Sequence, residues 1–347
     1  MSSWSTVLSG LIAREQLPVG DLHWAMEQMM SGDASPSQIS AFLTALRAKG
    51  ETPTDVSALV DVMLEHAVPA PVSGITVDTC GTGGDGAHTV NISTMAAIVV
   101  AALDVTVIKH GNRAASSKCG SADVLAELGV PLDIDPAKAV DVANNVGITF
   151  LFAQAFHPAL RHVGPTRREI GIPTVFNILG PLANPARPTA QVVGVANAAI
   201  APMIAEVLRV RGTRALVVRG HDGLDELSIA TSSTMWSVLG DEVVEIIFDP
   251  RTLGIAVPSE DALLGGDAAF NADVARRLFA GEVSGKFEHI RDAVCLNAAA
   301  ALVAVEAVST PHLNVHESLQ AKFELAKSAV ADGAAQAKLE QWIAALS

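Results

Sequence analysis

Apolar residues recur at helical spacing through residues 1–70 of the chain. They lie three or four positions apart, so each set falls on one face of a helix. Ser35-Pro36 is a good helix cap and first turn, and Gly50 is a good helix end. Thr52-Pro53 opens a fourth helix. The apolar faces contain Trp4, Val7, Leu11, Leu22, Met26, Met29, Ile39, Phe42, Leu46, Val56, Leu59 and Met63. These positions predict a small all-helical region.

After Pro69-Ala70-Pro71, β-branched runs alternate with helical patterns to the end of the chain. Strands are predicted at residues 75–78, 105–108, 148–152, 191–195, 215–218 and 243–248. Such alternation is typical of a mostly parallel sheet covered by helices. Only residues 157–187 interrupt it, because their many prolines and glycines favour short helices joined by tight bends. We therefore expect an α/β fold in which a small all-helical domain accompanies a large α/β domain with a mostly parallel central sheet.

A glycine-rich loop at residues 81–86 follows the first predicted strand. With few side chains, its backbone N–H groups can approach an anion closely. Asn91, Ser93 and Thr94 then precede an apolar helix, whose unpaired N-terminal N–H groups also favour negative charge. Glycine clusters alone are more often simple turns, and neither the lysine-containing nucleotide loop nor the dinucleotide fingerprint is present. The combination of loop and helix start favours a phosphate site.

Cations and hydroxyls follow the second predicted strand. The segment contributes Lys109, His110, Asn112, Arg113, Ser116, Ser117, Lys118 and Ser121. Such charges are often a solvated face, but the carboxyl ends of parallel strands meet at one edge of a sheet, where ligands bind. We therefore expect both loops at one edge, around a phosphorylated ligand.

Two adjacent carboxylates, Asp225 and Glu226, follow the strand predicted at residues 215–218. A pair of this kind usually serves surface solubility. Beside a phosphate site it instead favours Mg²⁺, which takes one or two carboxylates together with phosphate oxygens and water.

The sequence resembles the anthranilate phosphoribosyltransferase family across nearly its whole length. The blocks that carry the resemblance are GTGGDG with the following NIST, KHGNRAASSKCGSADVL, TRREIG and the DE pair of RGHDGLDELS. The resemblance implies transfer of a phosphoribosyl group from phosphoribosyl pyrophosphate to the amino group of anthranilate, in tryptophan biosynthesis. It also implies a helical domain of residues 1–72 and 160–188, and an α/β domain of residues 73–159 and 189–347.

The resemblance also implies the site residues. Those expected to bind phosphoribosyl pyrophosphate are Gly81, Thr82, Gly83, Gly84, Asp85, Thr89, Asn91, Ser93, Thr94, Lys109, Lys118 and Ser121. Those expected to bind anthranilate are Gly81, His110, Asn112, His157, Arg167, Gly180 and Pro181. Ser93, Asp225 and Glu226 are expected to hold Mg²⁺, with two ions per subunit. No general base is assigned, because an arylamine is neutral and nucleophilic at cellular pH.

Composition narrows the classes of protein that remain. With 23 Lys and Arg against 37 Asp and Glu, the formal charge of −14 disfavours nucleic acid and anionic lipid as partners. Three cysteines without paired spacing argue against a disulfide framework, and neither a long apolar run nor a secretion signal is evident. We expect a cytoplasmic protein and, from the resemblance, a homodimer formed through the N-terminal helices.

Two other functions fit part of the pattern. A pyrimidine nucleoside phosphorylase, a distant fold relative, would need no arginine for a substrate carboxylate. A non-catalytic sensor of phosphoribosyl ligands would need neither that arginine nor the Asp225-Glu226 pair. Retention of the acidic pair favours the transferase.

Overall fold

The computed structural model describes residues 1–114, 118–259 and 261–347. Its helices are α1 (Trp4–Ile12), α2 (Val19–Ser31), α3 (Pro36–Lys49), α4 (Pro53–Glu65), α5 (Ile92–Ala102), α6 (Ser121–Leu128), α7 (Pro136–Val146), α8 (Ala153–Phe156), α9 (Gly164–Ile170), α10 (Phe176–Leu182), α11 (Ala201–Val210), α12 (Ala268–Phe279), α13 (Lys286–Ser309), α14 (Val315–Ala331) and α15 (Ala334–Leu346). Short 3-10 helices lie at Pro158–His162 and Pro250–Leu253. The strands are β1 (Thr76–Gly81), β2 (Thr106–Gly111), β3 (Ile148–Phe152), β4 (Ala190–Gly194), β5 (Arg214–Gly220), β6 (Ser233–Val238) and β7 (Val244–Phe248).

The four N-terminal helices form as the sequence predicts. The Ser35 and Thr52 side chains each accept a hydrogen bond from the backbone of the third helical residue, and each forms a reciprocal capping box. Gly50 directly follows α3. The apolar faces of the helices are buried, so packing as well as capping fixes their ends.

The central sheet has the strand order β3-β2-β1-β4-β5-β6-β7. The first five strands of that order are parallel, and β6 and β7 add to the edge as antiparallel strands. The predicted mostly parallel sheet is therefore confirmed. Because β1, β2 and β5 run in the same direction, the loops that follow them leave from one edge of the sheet.

Two features of the α/β region differ from the sequence prediction. Strand β6 was not predicted, because Ser233 and Ser237 look like loop residues although both are buried in the sheet. The alternation also does not continue to the end of the chain. After β7, the described residues form helices α12 to α15 and no further strand of the sheet.

Helix α13 is the central helix of the α/β region. It is long and apolar enough to span a membrane by length and composition, but 78% of its most apolar window is buried within the protein. Residues along its whole length belong to the hydrophobic core, among them Phe287, Ile290 and Val303. It is the core helix against which α5 and α14 pack.

The chain divides into two compact units. The first contains Met1–Pro69 and Ala153–Pro185, and the second contains Ala70–Phe152 and Ala186–Ser347. The second segment of the first unit begins at Ala153 rather than at the predicted residue 160. The reason is that β3 ends at Phe152 and the chain turns directly into α8.

Candidate functional site

A glycine loop leaves the end of β1 and leads to α5. Gly83, Gly84 and Gly86 have φ of 67°, 83° and 71°, a region that side-chain-bearing residues rarely adopt. Gly81, Gly83 and Gly84 are exposed, and Thr82 and Asp85 are partly exposed. The loop therefore presents backbone to solvent at the sheet edge, as the phosphate prediction requires.

The two carboxylates that follow β5 meet this loop. The backbone N–H of Gly83 donates to Asp225 Oδ2 at 2.7 Å, and the N–H of Ser93 donates to Glu226 Oε1 at 3.0 Å. Ser93 lies in the first turn of α5, where a negative charge is stabilised by the helix dipole. The structure thus brings together the glycine loop, the start of α5 and the acidic pair.

Close packing at two glycines makes this meeting possible. A Cβ atom at Gly194 would lie 1.5 Å from the carbonyl oxygen of Asp225, and one at Gly81 would lie 2.3 Å from Asp225 Oδ2. No side chain fits at either position without displacing the backbone or the carboxylate. Gly81 belongs to the predicted loop, whereas Gly194 was not predicted as a site residue, because its only signal is a glycine at the end of a strand.

Burial perturbs both carboxyl groups. Burial, together with the neighbouring Asp85, raises the pKa of Asp225 to about 6. Burial and the charges of Asp225 and Asp85 raise the pKa of Glu226 well above its usual range. Glu226 Oε2 has no hydrogen-bond partner among the described residues, although it is buried.

This donor set fits a hard divalent cation. A cation would compensate two partly buried like charges and use the unpartnered oxygen, since oxygen ligands suit Mg²⁺. No group of three or more His, Cys, Asp or Glu side chains in the described part of the chain is placed to hold a metal alone. The remaining ligands would therefore be phosphate oxygens and water.

Lys109 lies beneath the loop. Its side chain is buried, and its Nζ donates to the carbonyl oxygen of Thr79 and, at 3.3 Å, to Ser93 Oγ. Burial lowers the pKa of Lys109, while the surrounding carboxylates act in the opposite direction. The sequence predicts that Lys109 contacts phosphate directly. In the structure its amine links β1 to the start of α5.

Asn91 joins the glycine loop to other segments. Helix α5 begins at Ile92, so Ser93 and Thr94 lie inside its first turn rather than before it. The Asn91 amide donates to the carbonyl oxygen of Cys119 at 3.2 Å and accepts from the buried Asn271 of α12 at 2.8 Å. Thr94 is buried, whereas Thr89 is partly exposed and bridges to Leu264.

The loop after β2 carries two exposed cations among the described residues, Arg113 and Lys118, whereas Lys109 is buried within β2. Arg113 pairs with Asp123 of α6 at 2.9 Å, so part of its charge is compensated. Asn112 is exposed and Ser121 partly exposed at the start of α6. His110 is buried, and its backbone N–H donates to Asp78 Oδ1 at 3.2 Å. Ser116 and Ser117 lie outside the described residues.

Arg167 is the prominent cation of the first unit. It lies on α9, and its guanidinium carbon is 4.9 Å from the centre of the Phe176 ring, an attractive cation–π contact. Burial lowers its pKa. It forms no ion pair with a carboxylate in the described ranges. A partly buried arginine without a carboxylate partner among the described residues can pair with an external anion.

The other residues of the first unit that are expected to bind anthranilate are more enclosed. His157 is buried, its Nε2 lies 2.9 Å from the carbonyl oxygen of Ala183, and burial lowers its pKa to about 4. Its side chain therefore packs internally as a neutral imidazole. The predicted bend at Gly180-Pro181 is wrong, because both residues lie in the last turn of α10. Gly180 is partly exposed and Pro181 is buried.

Of the three cysteines, Cys119 and Cys295 are buried and Cys80 is partly buried. Burial raises the pKa of Cys80 well above its usual range, that of Cys119 to about 11 and that of Cys295 to about 12. All three are therefore protonated at neutral pH, when a thiol is a poor nucleophile.

Comparisons with known proteins identify the family. Residues 5–67 match the helical bundle domain of the glycosyl transferase family, and residues 73–336 match its a/b domain. The chain is 50% identical over 341 residues to an anthranilate phosphoribosyltransferase of Thermobifida fusca, covering 98% of this chain and 96% of the relative.

Solved structures indicate the same family. The anthranilate phosphoribosyltransferase (TrpD) of Thermus thermophilus superimposes with a TM-score of 0.89 at 40% identity, covering 98% of this chain and 99% of that one. The Saccharomyces cerevisiae enzyme in complex with PRPP and Mg gives 0.88 at 27% identity, covering 99% and 97%. With its fold, its glycine loop and its acidic pair all on a chain of this similarity, the protein belongs to the anthranilate phosphoribosyltransferase family.

Proposed function

We propose that this protein transfers the phosphoribosyl group of phosphoribosyl pyrophosphate to the amino nitrogen of anthranilate, as part of tryptophan biosynthesis. The products are N-(5-phosphoribosyl)anthranilate and pyrophosphate. The observation that supports this most is the contact of Asp225 and Glu226 with the glycine loop and the start of α5. Carboxylates placed among backbone N–H groups suit a metal-bound polyphosphate better than any neutral ligand.

The glycine loop and the helix start form the donor side of the proposed site. The N–H groups of Thr82 and Gly83 already donate to Gly194 and Asp225, so the loop would bind phosphate oxygens through the N–H groups of Gly84 and Asp85. The hydroxyl groups of Ser93 and Thr94 would add donors, with Asn91, Thr89 and Ser121 at the border. Lys118 supplies an exposed positive charge. Lys109 is buried, so it would act through its hydrogen bond to Ser93 Oγ and through the positive electrostatic potential that its charge adds beneath the loop.

Ser93, Asp225 and Glu226 would hold Mg²⁺, and we infer two ions per subunit. The raised pKa values of the two carboxyl groups and the unpartnered Glu226 Oε2 support that assignment. When bound, the ions would neutralise the charge of the pyrophosphate. Asp85 stands close enough to Asp225 to raise its pKa, so it would organise the loop beside the metal pair.

The acceptor side depends on charge. Arg167 has no carboxylate partner among the described residues. We infer that it pairs with the carboxylate of anthranilate. Gly81, Asn112 and His110 would lie toward the aryl ring. The buried side chains of His157 and Pro181 would shape the acceptor region through packing, and Gly180 leaves space beside them.

The chemistry follows from these two sides. The bond between the anomeric carbon and a pyrophosphate oxygen breaks, and the amine lone pair forms the new carbon–nitrogen bond. The amine proton passes to solvent. Charge stabilisation and alignment then supply the catalysis, and no side chain is needed as a general base.

Anthranilate fluorescence tests the proposed reaction. We expect the signal to fall only when protein, phosphoribosyl pyrophosphate and Mg²⁺ are all present. A matched control is Asp225→Asn, which keeps the shape of the side chain and removes its charge. No loss of signal with the wild-type protein at any Mg²⁺ concentration would refute the proposed function.

We also propose a homodimer formed through the N-terminal helices. Ile12 of α1 is 76% exposed and Val19 of α2 is 45% exposed, so two consecutive helices each present a large apolar side chain that a partner subunit would cover. Ile12→Asp should shift the sedimentation coefficient from dimer to monomer. Val210→Asp, which charges a 62% exposed apolar residue of α11 in the other unit, is the control that should leave it unchanged.

We propose that the protein acts in the cytoplasm. No disulfide joins Cys80, Cys119 and Cys295, all of which lie in the described part of the chain. Reduced cysteines suit a reducing compartment. Fractionation of the source cells should place the transferase activity with the soluble cytoplasmic proteins.

A further inference from the structure

A buried asparagine on the core helix α13 forms hydrogen bonds with the backbone next to the acidic pair. Asn297 Oδ1 accepts from the N–H of Leu227 at 2.9 Å, and its Nδ2 donates to the carbonyl oxygen of Leu227 at 3.1 Å. Nδ2 also donates to the carbonyl oxygen of Ala293, one turn earlier on the helix, at 3.0 Å. The side-chain amide of Asn297 therefore pairs with both the backbone N–H and the backbone carbonyl of Leu227, as a neighbouring strand would.

Leu227 directly follows Glu226. The residues around them, 221–232, belong to no helix or strand, so no ladder of backbone bonds fixes the acidic pair. On one side of the pair, the carbonyl group of Asp225 packs against Gly194 of β4. On the other side, the amide of Asn297 fixes Leu227. The pair is thus held between a strand and the core helix.

An amide at this position needs an explanation. Asn297 is only 5% exposed, and its neighbours along α13 from Ala293 to Ala301 are otherwise buried apolar residues. Burying an amide costs free energy unless its hydrogen bonds are made, and an apolar residue would pack there without that cost. All the hydrogen bonds that its side chain forms beyond its own helix go to Leu227, within the described residues.

We propose that Asn297 is a positioning residue that holds Asp225 and Glu226 in the geometry required for a metal-bound pyrophosphate. The inference rests on the proposed function and deepens it. Residues that orient metal ligands without touching the metal typically change metal affinity about 10- to 100-fold when replaced. Asn297 acts through the backbone of Leu227, so its effect should appear in the Mg²⁺ requirement before it appears in the use of anthranilate.

Two variants test the inference. Asn297→Asp keeps the shape and the acceptor oxygen but loses both Nδ2 donors, whereas Asn297→Ala removes the whole amide. The control is Val303→Ala, which creates a cavity in the same helix without touching these hydrogen bonds. Three quantities are measured for each protein: hydrogen exchange of the Leu227 amide, the Mg²⁺ concentration that gives half of the thermal stabilisation by inorganic pyrophosphate, and the Mg²⁺ concentration that gives half-maximal transfer.

The expected result is specific to the asparagine. In Asn297→Ala the Leu227 amide should exchange at least about tenfold faster, since it loses its buried acceptor. In both Asn297 variants the half-saturating Mg²⁺ concentration should rise about 10- to 100-fold, with the KM for anthranilate unchanged. Val303→Ala should lower the thermal midpoint yet keep the wild-type exchange rate and Mg²⁺ requirement.

Two results would overturn the inference. One is a folded Asn297 variant with the wild-type Mg²⁺ requirement, and the other is an equal change in Val303→Ala, which would indicate general loss of stability. Failure of the proposed function is distinguishable, because the wild-type protein would then give no transfer. The exchange rate and the pyrophosphate-dependent stabilisation, which need no turnover, would still decide the role of Asn297.

Discussion

Replacing Arg167 tests whether its charge binds the carboxylate of anthranilate and so determines acceptor specificity. Its guanidinium is partly buried, is held over the Phe176 ring at 4.9 Å and has no carboxylate partner among the described residues. If it binds the anthranilate carboxylate, Arg167→Gln removes a hydrogen bond between charged groups. Such bonds contribute about 2 to 3 kcal/mol, and each 1.4 kcal/mol corresponds to about tenfold. We therefore expect kcat/KM for anthranilate to fall about 30- to 150-fold.

Two controls isolate the carboxylate contact. Arg168→Gln changes the adjacent, exposed arginine and should leave kcat/KM within about twofold of the wild type. Aniline, which lacks the carboxylate, should react poorly with the wild-type protein and equally poorly with Arg167→Gln. The KM for phosphoribosyl pyrophosphate should remain unchanged in both variants.

The assay is initial-rate fluorescence with anthranilate varied at saturating phosphoribosyl pyrophosphate and Mg²⁺. A fall of less than about threefold in kcat/KM for Arg167→Gln would refute the carboxylate contact. So would a loss of similar size with aniline, because the effect would then come from packing beside Phe176 rather than from charge.

Two further predictions concern stability and the acidic pair. Because burial holds the pKa of His157 at about 4 instead of 6.5, the unfolded chain binds the proton more readily between these pH values, and stability should fall on acidification. Urea unfolding at pH 7 and pH 5 should show a loss about 2 kcal/mol larger for the wild type than for His157→Asn, and equal losses would contradict it. Gly194→Ala would force a Cβ against the Asp225 carbonyl group, so it should lower stability by about 1 to 3 kcal/mol and abolish Mg²⁺-dependent transfer. Gly20→Ala, at an open position, is the matched control for thermal unfolding and rate, and a wild-type rate in Gly194→Ala would refute the packing argument.

Local signals in the sequence accounted for much of the fold. Caps such as Ser35 and Thr52 act within one turn of helix, so their partners are visible a few residues away. The glycine loop and Asp225 could be placed at one sheet edge because the direction of parallel strands fixes where their loops meet. Strand β6 escaped prediction because its buried serines are paired by strands on both sides, a tertiary effect.

The parts of the site that sequence did not predict depend on distant contacts. Lys109 follows the strand predicted at residues 105–108, which suggests exposure, yet it lies within β2, where internal acceptors and carboxylates make its burial possible. Asn297 and Asn271 stand in alanine-rich and mixed helices without any motif, and their partners lie far away in the sequence. Nothing in their local sequence distinguishes them from surface asparagines.

Phosphorus NMR on a complete reaction tests the central claim most directly. Wild-type protein with phosphoribosyl pyrophosphate, anthranilate and Mg²⁺ should release pyrophosphate in a 1:1 ratio to the anthranilate consumed, with no release when anthranilate is omitted. Pyrophosphate released without anthranilate, or no pyrophosphate at all, would contradict phosphoribosyl transfer as the reaction of this site.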